Sequence, residues 1–197
     1  MTLAMTSEST LYLASQSPRR RELLAQIGVS FKVLNVEVPE VPEPGEPAEV
    51  YVVRLAEAKA RAGSEQVAAT PVLGADTIVV HGGSVLEKPR DKADALRMLA
   101  MLSGSRHQVY SAVSICCGER QATRLSVTDV DFRQLADEEL ERYWMSGEPR
   151  DKAGSYAIQG LGAVFVERLN GSYSGVVGLP LAETRELLAE FDVPWWQ

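Results

Sequence analysis

The stretch from Leu11 to Gly28 constrains the fold of this chain most, because a short apolar run, a polar turn and a helix start follow one another there. Residues 11–14 fit a buried strand. Ser17 suits a helix N-cap, and Pro18 suits the first helical position, where its missing N–H costs nothing. Gly28 suits the end of that helix. The sequence therefore predicts a helix that begins directly where a buried strand ends.

Basic and hydroxyl side chains surround this predicted junction. A helix start offers unpaired backbone N–H groups and the positive end of the helix dipole, and both attract anions. Arginines in a first turn oppose the dipole unless an anion or an acidic partner compensates them. An ordinary capped helix with a solvated basic turn is the alternative. We favour a phosphate-binding turn built from Ser15, Ser17, Arg19, Arg20 and Arg21.

The size and charge of the chain narrow its possible functions. With 197 residues and 45% hydrophobic content, the sequence predicts one globular domain over residues 11–197, preceded by a flexible tail over residues 1–10. A net charge of -7 argues against a nucleic-acid partner, since such proteins neutralise phosphates with broad basic surfaces. An apolar run of about 20 residues, which a spanning helix needs, is absent from the sequence, so no membrane partner is expected. A local basic turn in an acidic protein suits a small anionic ligand.

The two cysteines of the chain, Cys116 and Cys117, are adjacent in a predicted strand. Neighbouring side chains of a strand point to opposite faces, so we expect neither a mutual disulfide nor a metal-chelating pair. Unpaired cysteines are typical of a reducing compartment, and we therefore predict a cytoplasmic location.

A carboxylate stands in the middle of the most apolar stretch, residues 71–80. This stretch has the pattern of a central strand buried on both faces of an α/β sheet. Burying Asp76 there is costly unless the carboxylate is paired or lies at a polar cleft. A structural salt bridge is one explanation, but we favour a functional carboxylate, because Gly74 and Ala75 leave room for a ligand to approach the backbone. Thr77 faces the opposite side, unless a bulge at Gly74 turns it towards the same site.

Two lysines are placed near this strand by their neighbours in sequence. Residues 48–62 predict a helix, and Lys59 lies at the edge of its inward stripe, where a snorkelling lysine is the simpler explanation. The turn at residues 81–84 predicts a hairpin that brings Lys88 back along the Asp76 strand. Before both lysines in the chain, residues 31–36 predict a strand that ends at Glu37 and leads into a stiff, proline-rich acidic loop.

The remaining elements follow from similar local signals. We predict helices over residues 92–102, 137–146 and 180–191, and a long antiparallel pair over residues 107–117 and 122–132. Asn170 and Gly171 predict a hairpin between residues 163–168 and 172–174. The sequence leaves open whether Trp195 and Trp196 pack on the body of the protein or at a subunit interface.

Residues 147–162 are rich in glycine and in hydrogen-bonding groups, with apolar anchors between them. A long segment of this kind inside a compact domain is usually functional when it is not disordered. The amide of Gln159 can offer a donor and an acceptor together to the edge of a base. We therefore predict that this segment takes part in ligand recognition.

Five motifs in this order, ASQSPRRRELL, RLAEAKA, GADTIV, LEKPRD and DKAGSYAIQGLG, cover nearly the whole chain. Together they resemble the Maf family of nucleoside triphosphate pyrophosphatases, and Gln159 in the last motif resembles the branch acting on dTTP and UTP. The resemblance implies an α/β fold with a long curved mixed β-sheet flanked by helices, and two lobes with a substrate cleft between them. It also implies a homodimer, cleavage between the α and β phosphates, and a divalent metal, Mg²⁺ or Mn²⁺.

The same resemblance assigns roles to individual residues. Asp76 matches the catalytic carboxylate that activates water, and Lys59 and Lys88 match cleft lysines suited to the triphosphate. The metal would be held by Asp76 and by Glu37 or Glu40, because here Val38 stands where the family pattern has a second acidic residue. The positions matched to substrate binding are those of the phosphate turn, Ser15, Ser17 and Arg20, and those of base choice, Arg19, Thr77 and Gln159.

Two other functions are compatible with a cationic turn. A nucleotidyl or phosphoryl transferase would use an acceptor other than water, and a Walker-type glycine-rich lysine loop is missing from this sequence. A non-catalytic nucleotide-binding regulator of cell division would have no need for a buried carboxylate beside the turn. We therefore favour hydrolysis over both.

Overall fold

The computed structural model describes residues 10–196, which form a mixed seven-stranded sheet with six α-helices around it. The strands are β1 Leu11–Leu13, β2 Phe31–Val33, β3 Val72–His81, β4 Ser84–Leu86, β5 Arg106–Cys117, β6 Arg120–Phe132 and β7 Val166–Asn170. The helices are α1 Pro18–Gln26, α2 Ala48–Ser64, α3 Lys92–Leu102, α4 Asp137–Met145, α5 Tyr173–Val177 and α6 Leu181–Glu190. The flexible tail predicted for residues 1–10 falls, except for Thr10, outside the described residues.

The sheet combines a parallel part with a long antiparallel part. Its strand order is β2-β1-β3-β5-β6-β7, and β4 pairs with β3 beside that path. β1 is parallel to β2 and β3, whereas β3, β5, β6 and β7 are antiparallel neighbours. This architecture confirms the predicted α/β fold with a long mixed sheet.

The pairing of β3 with β5 is regular along its whole length. It runs without interruption from Val72 opposite Cys116 to Val80 opposite Gln108. The bulge considered at Gly74 is therefore absent from this pair, and Asp76 and Thr77 point to opposite faces of the sheet.

Each face of β3 packs against different helices. Ile78 and Val80 lie in an apolar cluster with Tyr51, Val52 and Leu55 of α2. On the other face, Leu73, Ala75 and Val79 belong to a larger core that includes residues of α1, α3, α4 and α6. The predicted helix over residues 48–62 extends to Ser64. Its buried face includes Tyr51, Leu55 and Lys59, whereas Ala58 and Ala62, which were also expected to face inward, are half-buried.

The second edge of β3 is only partly covered, and this positions the site. β1 pairs with β3 at Val72 and Leu73, where β1 ends, and β4 pairs with it from Val79 onwards. Between these two neighbours, residues 74–78 have no partner strand on this edge within the described part of the chain. Side chains on both faces of β3 therefore border the same gap, although Asp76 and Thr77 point in opposite directions.

Gly74 has a different role from the predicted one. A Cβ at this position would lie 2.4 Å from the backbone nitrogen of Ala60 and 2.5 Å from the carbonyl oxygen of Ala56. The space beside the strand is thus filled by the backbone of α2, and the expectation that a ligand approaches there was wrong. The glycine allows α2 to lie close enough to β3 for its side chains to reach Asp76.

The predicted hairpin at Asn170 and Gly171 is wrong. β7 ends at Asn170, and the hydroxyl of Ser172 accepts a hydrogen bond of 3.0 Å from the amide of Gly175, so Ser172 caps the short helix α5. A serine that can cap a helix competes with the hairpin signal of the preceding pair, and the helix is formed here because α5 packs on β5.

Two further segments differ from the prediction in extent. β2 covers Phe31–Val33 instead of residues 31–36. The segment 147–162 is not structureless, because it contains the 3-10 turns Glu148–Asp151 and Ala153–Ser155 and the start of a third, Leu161–Phe165.

The structure also bears on the predictions for a membrane span, the two cysteines and the two C-terminal tryptophans. Within residues 10–196, none of the helices has the length and apolar character needed to span a membrane. Cys116 is buried and Cys117 is half-buried. Trp195 packs partly against the large core, whereas the side chain of Trp196 is 83% exposed.

The contact at Gly74 leads to a stability prediction. We expect Gly74→Ala to lower the free energy of unfolding by about 3 kcal/mol, since backbone atoms of α2 cannot rotate away from the new methyl group. Gly82→Ala is the matched control, because open space surrounds Gly82 and only its φ of +57° disfavours alanine. That control is expected to cost about 1 kcal/mol. Urea unfolding followed by circular dichroism checks both values, and equal losses in the two variants would contradict the close contact.

Candidate active site

A cavity of about 570 Å³ lies at the open edge of β3. Its walls come from the β1–α1 junction, the loop before α2, the middle of β3, and the segment around residues 151–159. Of the site residues predicted from the sequence, all except Arg21 and Glu37 line this cavity. Residues that are far apart in the chain thus meet at one polar cleft, and the volume is in the usual range for a small-molecule site.

An acid–base cluster forms the wall towards α2. The ammonium group of Lys59 lies 2.7 Å from Asp76 Oδ1 and 2.6 Å from Glu40 Oε1. The side chains of Lys59 and Asp76 are only 11% and 10% exposed, whereas that of Glu40 is 45% exposed. Lys59 therefore points into the cleft, and the simpler explanation of a snorkelling lysine was wrong.

Electrostatics favours the ionised form of Glu40. Burial alone would raise the pKa of Glu40, but the hydrogen bond and charge of Lys59, with smaller contributions from Lys88 and Arg20, lower it below its usual value. Asp76 forms the salt bridge that was considered as a purely structural explanation, and it also lines the cavity. The structural and functional explanations of this carboxylate are thus compatible.

The basic turn at the start of α1 forms part of the opposite wall. Arg19 Nε donates to the carbonyl oxygen of Val177 at 3.2 Å, and Arg20 Nε donates to that of Gly178 at 2.8 Å. These carbonyls lie at the C-terminal end of α5. They therefore offset part of the unfavourable interaction between the arginines and the dipole of α1, for which an anion or an acidic partner was expected. Arg21 is exposed and is not among the cavity-lining residues of the described chain, which removes it from the predicted phosphate turn.

Hydroxyl groups connect this turn to β3. Arg20 Nη1 donates to Ser15 Oγ at 3.2 Å, and the backbone amide of Ser17 donates to the same oxygen at 3.3 Å. Ser17 occupies the N-cap position as predicted, but its own side chain makes no capping hydrogen bond. On the face opposite Asp76, Thr77 Oγ1 lies 2.9 Å from Ser111 Oγ.

Arg20 is a half-buried cation of the site. Its burial lowers the pKa of the guanidinium, the charge of Asp76 opposes this change, and the charge of Arg19 adds to it. An arginine stays protonated under such shifts, because its unperturbed pKa is above 12. The cleft therefore keeps a positive charge close to the Asp76 carboxylate.

The structure separates the two candidates for a second carboxylate. Glu40 lines the cavity and contacts Lys59, while Glu37 is exposed and is not a lining residue within the described chain. Lys88, whose side chain is 65% exposed, has its Nζ 3.9 Å from Glu40 Oε2. The acidic loop thus enters the site through Glu40.

The structure adds residues that sequence reasoning did not select. Asp151 and Lys152 form an ion pair at the cavity wall, and the Lys152 side chain is only 14% exposed. Both belong to the motif DKAG, which was quoted for the resemblance without a role for either residue. Tyr51, on the buried face of α2, also lines the cavity. Burial, together with the charges of Glu87, Asp76 and Glu40, raises its pKa to about 12, so the hydroxyl stays protonated.

Gln159 lines the cavity on a segment whose neighbouring residues are anchored in the core. Ile158 and Ala157, which precede it, are 8% and 7% exposed, whereas Gln159 itself is exposed. Its amide is thus available to a ligand while its backbone is anchored.

The donor set of the cleft fits a hard divalent cation. Asp76 and Glu40 offer carboxylate oxygens on either side of one cationic group, and Mg²⁺ prefers such oxygen ligands. No group of three or more His, Cys, Asp or Glu side chains with metal-binding spacing occurs among the described residues. This fits Mg²⁺, which commonly uses one or two carboxylates and keeps several waters, better than a metal enclosed by protein ligands.

Comparisons with known proteins agree with the motifs. Residues 10–191 match a family model described as Maf-like protein. A dTTP/UTP pyrophosphatase of Saccharophagus degradans is 57% identical over 97% of this chain and 93% of its own. That of Escherichia coli K12 is 56% identical over 93% of this chain and 94% of its own. The solved structure of the Staphylococcus aureus Ham1 protein overlaps with a TM-score of 0.45 at 12% identity, over 92% of this chain and 96% of that one.

The match to the family model spans residues 10–191, and the similarity to these relatives extends over most of the chain. On these grounds, the chain belongs to the Maf family.

Proposed function

We propose that this protein is a nucleoside triphosphate pyrophosphatase that hydrolyses dTTP and UTP to the nucleoside monophosphate and pyrophosphate. The observation that carries the proposal is the Asp76 carboxylate, which lies at the open edge of β3 in a cavity that also contains Arg20, Lys59 and Gln159. The relatives named dTTP/UTP pyrophosphatase support the same substrates.

Cationic side chains are suited to hold the triphosphate. Arg19, Arg20, Lys88 and Lys152 line the cavity, and the first two project from the start of α1. Phosphoanhydride cleavage needs neutralisation of the charge on the non-bridging oxygens, which such groups provide. Arginine offers several N–H donors in a plane, so Arg19 and Arg20 can bind phosphate oxygens while each keeps its bond to α5.

Asp76 is the group best placed to activate water. In the proposed step its carboxylate accepts a proton from the attacking water, the water oxygen bonds to the α phosphorus, and the bond to the oxygen bridging to the β phosphate breaks. Pyrophosphate leaves with the electrons of that bond. Lys59, 2.7 Å from Asp76 Oδ1, holds the carboxylate in one orientation during this transfer.

The divalent metal is a proposal that the donor set supports. Asp76 and Glu40 would hold Mg²⁺ or Mn²⁺, and Glu37, the other residue considered, would need a movement of its loop to take part. When bound, such an ion supplies additional charge neutralisation on the phosphate oxygens. Asp76 and Glu40 both form ion pairs with Lys59, so the ammonium group neutralises part of their negative charge.

Base choice is assigned to three side chains that line the cavity. We propose that the amide of Gln159 binds the uracil or thymine edge, which presents both N–H and C=O groups. Arg19 and Thr77 are proposed to contribute by the family resemblance, and both line the same cavity. A homodimer, which the resemblance implies, and a cytoplasmic location, which the two unpaired cysteines indicate, are further proposals.

A nucleotide panel tests the activity and the role of Asp76 together. We expect pyrophosphate release to be strongest from dTTP and UTP, and weaker from CTP, GTP and 7-methyl-GTP. Asp76→Asn is expected to lower this rate by about 10²–10⁴-fold while nucleotide still binds, because the amide cannot accept the proton. Asp129→Asn, which changes a half-buried aspartate outside the cavity, is the matched control. Near wild-type turnover in Asp76→Asn would overturn the mechanism, and binding without release from any nucleotide would favour a regulator.

Metal dependence distinguishes the two glutamates. Chelation of divalent ions is expected to stop pyrophosphate release. In Glu40→Gln we expect the affinity for Mn²⁺, measured by calorimetry, to fall by at least about tenfold, because one carboxylate ligand is lost. Glu37→Gln is the matched control and should stay within about twofold of the wild type. The opposite ranking of the two variants would assign the metal to Glu37.

Substitution of Gln159 tests the base contact. We expect Gln159→Glu to lose at least about tenfold in the ratio of kcat/KM for UTP over CTP, since a carboxylate only accepts hydrogen bonds and cannot complement the uracil edge. Gln66→Glu, an exposed glutamine outside the cavity, is the control. Unchanged relative rates across the nucleotide panel in Gln159→Glu would remove this assignment.

A further inference from the structure

Two side chains outside the cavity bind the backbone of the segment that carries Gln159. Tyr143 lies in the last turn of α4, and Glu148 begins the 3-10 turn that follows it. Neither lines the cavity within the described chain. Both side chains accept hydrogen bonds from backbone amides within residues 157–162.

The hydrogen bonds hold the segment at both of its ends. Tyr143 donates from its hydroxyl to Glu148 Oε1 at 2.7 Å and accepts from the amide of Ala157 at 3.0 Å. Glu148 Oε1 also accepts from the amide of Gly162 at 3.0 Å, and its Oε2 accepts from the amide of Leu161 at 2.9 Å. Residues 158–160, including Gln159, span the interval between these fixed points.

Burial and hydrogen bonding set the protonation states of Glu148 and Tyr143. Burial would raise the pKa of Glu148, but the hydrogen bonds from Tyr143, Gly162 and Leu161 together lower it, so the group stays a carboxylate at neutral pH. Burial and the bond to Glu148 both raise the pKa of Tyr143. Its hydroxyl therefore stays protonated and donates a hydrogen bond to the carboxylate. Hydrogen bonds to a charged acceptor are stronger than neutral ones.

Two glycines allow the close approach on which these bonds depend. A Cβ at Gly160 would lie 2.4 Å from Glu148 Oε2, and one at Gly162 would lie 2.6 Å from the hydroxyl oxygen of Tyr143. The spacing of the glycines in the run QGLG is thus explained by contact with these two side chains.

We propose that Glu148 and Tyr143 are positioning residues that set base selectivity by fixing the backbone on either side of Gln159. The inference rests on the proposed function of Gln159 as the base contact. Without the two side chains, the amide of Gln159 would still be present but would sample several orientations, and recognition of a base edge depends on a fixed donor–acceptor geometry. The phosphate-binding wall, built from α1 and β3, would be unaffected.

The variants Glu148→Gln and Tyr143→Phe test the proposal, with Glu141→Gln as the matched control. Glu141 also lies on α4 but forms an exposed ion pair with Lys92. We expect Glu148→Gln and Tyr143→Phe to raise KM for UTP by roughly tenfold with less change in kcat, the effect of losing a bond to a charged group. The ratio of kcat/KM for UTP over CTP should fall in parallel. Inhibition by inorganic tripolyphosphate, which has no base, should stay within about twofold.

Hydrogen exchange supplies a readout that does not depend on turnover. The amides of Ala157, Leu161 and Gly162 are expected to exchange faster in both variants than in the wild type, and the control should match the wild type. Because Tyr143→Phe keeps the aromatic ring, this variant tests the proposal even where Glu148→Gln fails to fold.

The outcomes separate this inference from the proposed function. Unchanged UTP kinetics in both variants, or an equal loss of UTP turnover and tripolyphosphate binding, would overturn the positioning role. A wild-type protein that releases no pyrophosphate from dTTP or UTP would instead overturn the proposed function, and the amide exchange would then still report whether the two side chains fix the segment.

Discussion

The ion pair between Lys59 and Asp76 is the interaction on which the cleft depends. A carboxylate in the middle of a buried strand is costly without a partner, and the ammonium of Lys59, 2.7 Å away, removes that cost. The same ammonium contacts Glu40, so helix α2, strand β3 and the acidic loop meet at one charged group. Gly74 makes this meeting possible, because only a residue without a side chain lets the α2 backbone lie against the strand.

The second constraint is the incomplete edge of β3. β1 ends and β4 begins at different points along this edge, and residues 74–78 lie in the gap between them. Side chains from both faces therefore reach the cavity, with Asp76 on the α2 side and Thr77 on the side of α5. A regular strand can thus contribute an acidic group to one wall and a hydroxyl beside the half-buried Arg20 to the other.

Local patterns predicted much of the fold. The strand–helix junction at Ser17 and Pro18, the apolar stripe of α2 and the long pair β5–β6 follow from capping, periodicity and alternation, which act over a few residues. The same local reasoning was wrong at Asn170 and Gly171, where the capping serine that follows them starts a helix packed on β5. It was also wrong at Gly74, because the sequence indicates missing volume without showing what fills it.

Neighbouring residues and ordered motifs were enough to predict most of the elements, the family and the kinds of chemical group at the site. Which of these groups meet depends on the tertiary structure. It placed Glu40 rather than Glu37 at Lys59, and it bonded Arg19 to the carbonyl of Val177, 158 residues away. It also brought Glu148 onto the backbone beside Gln159. Contacts of this kind depend on how distant elements pack, and no local propensity carries that information.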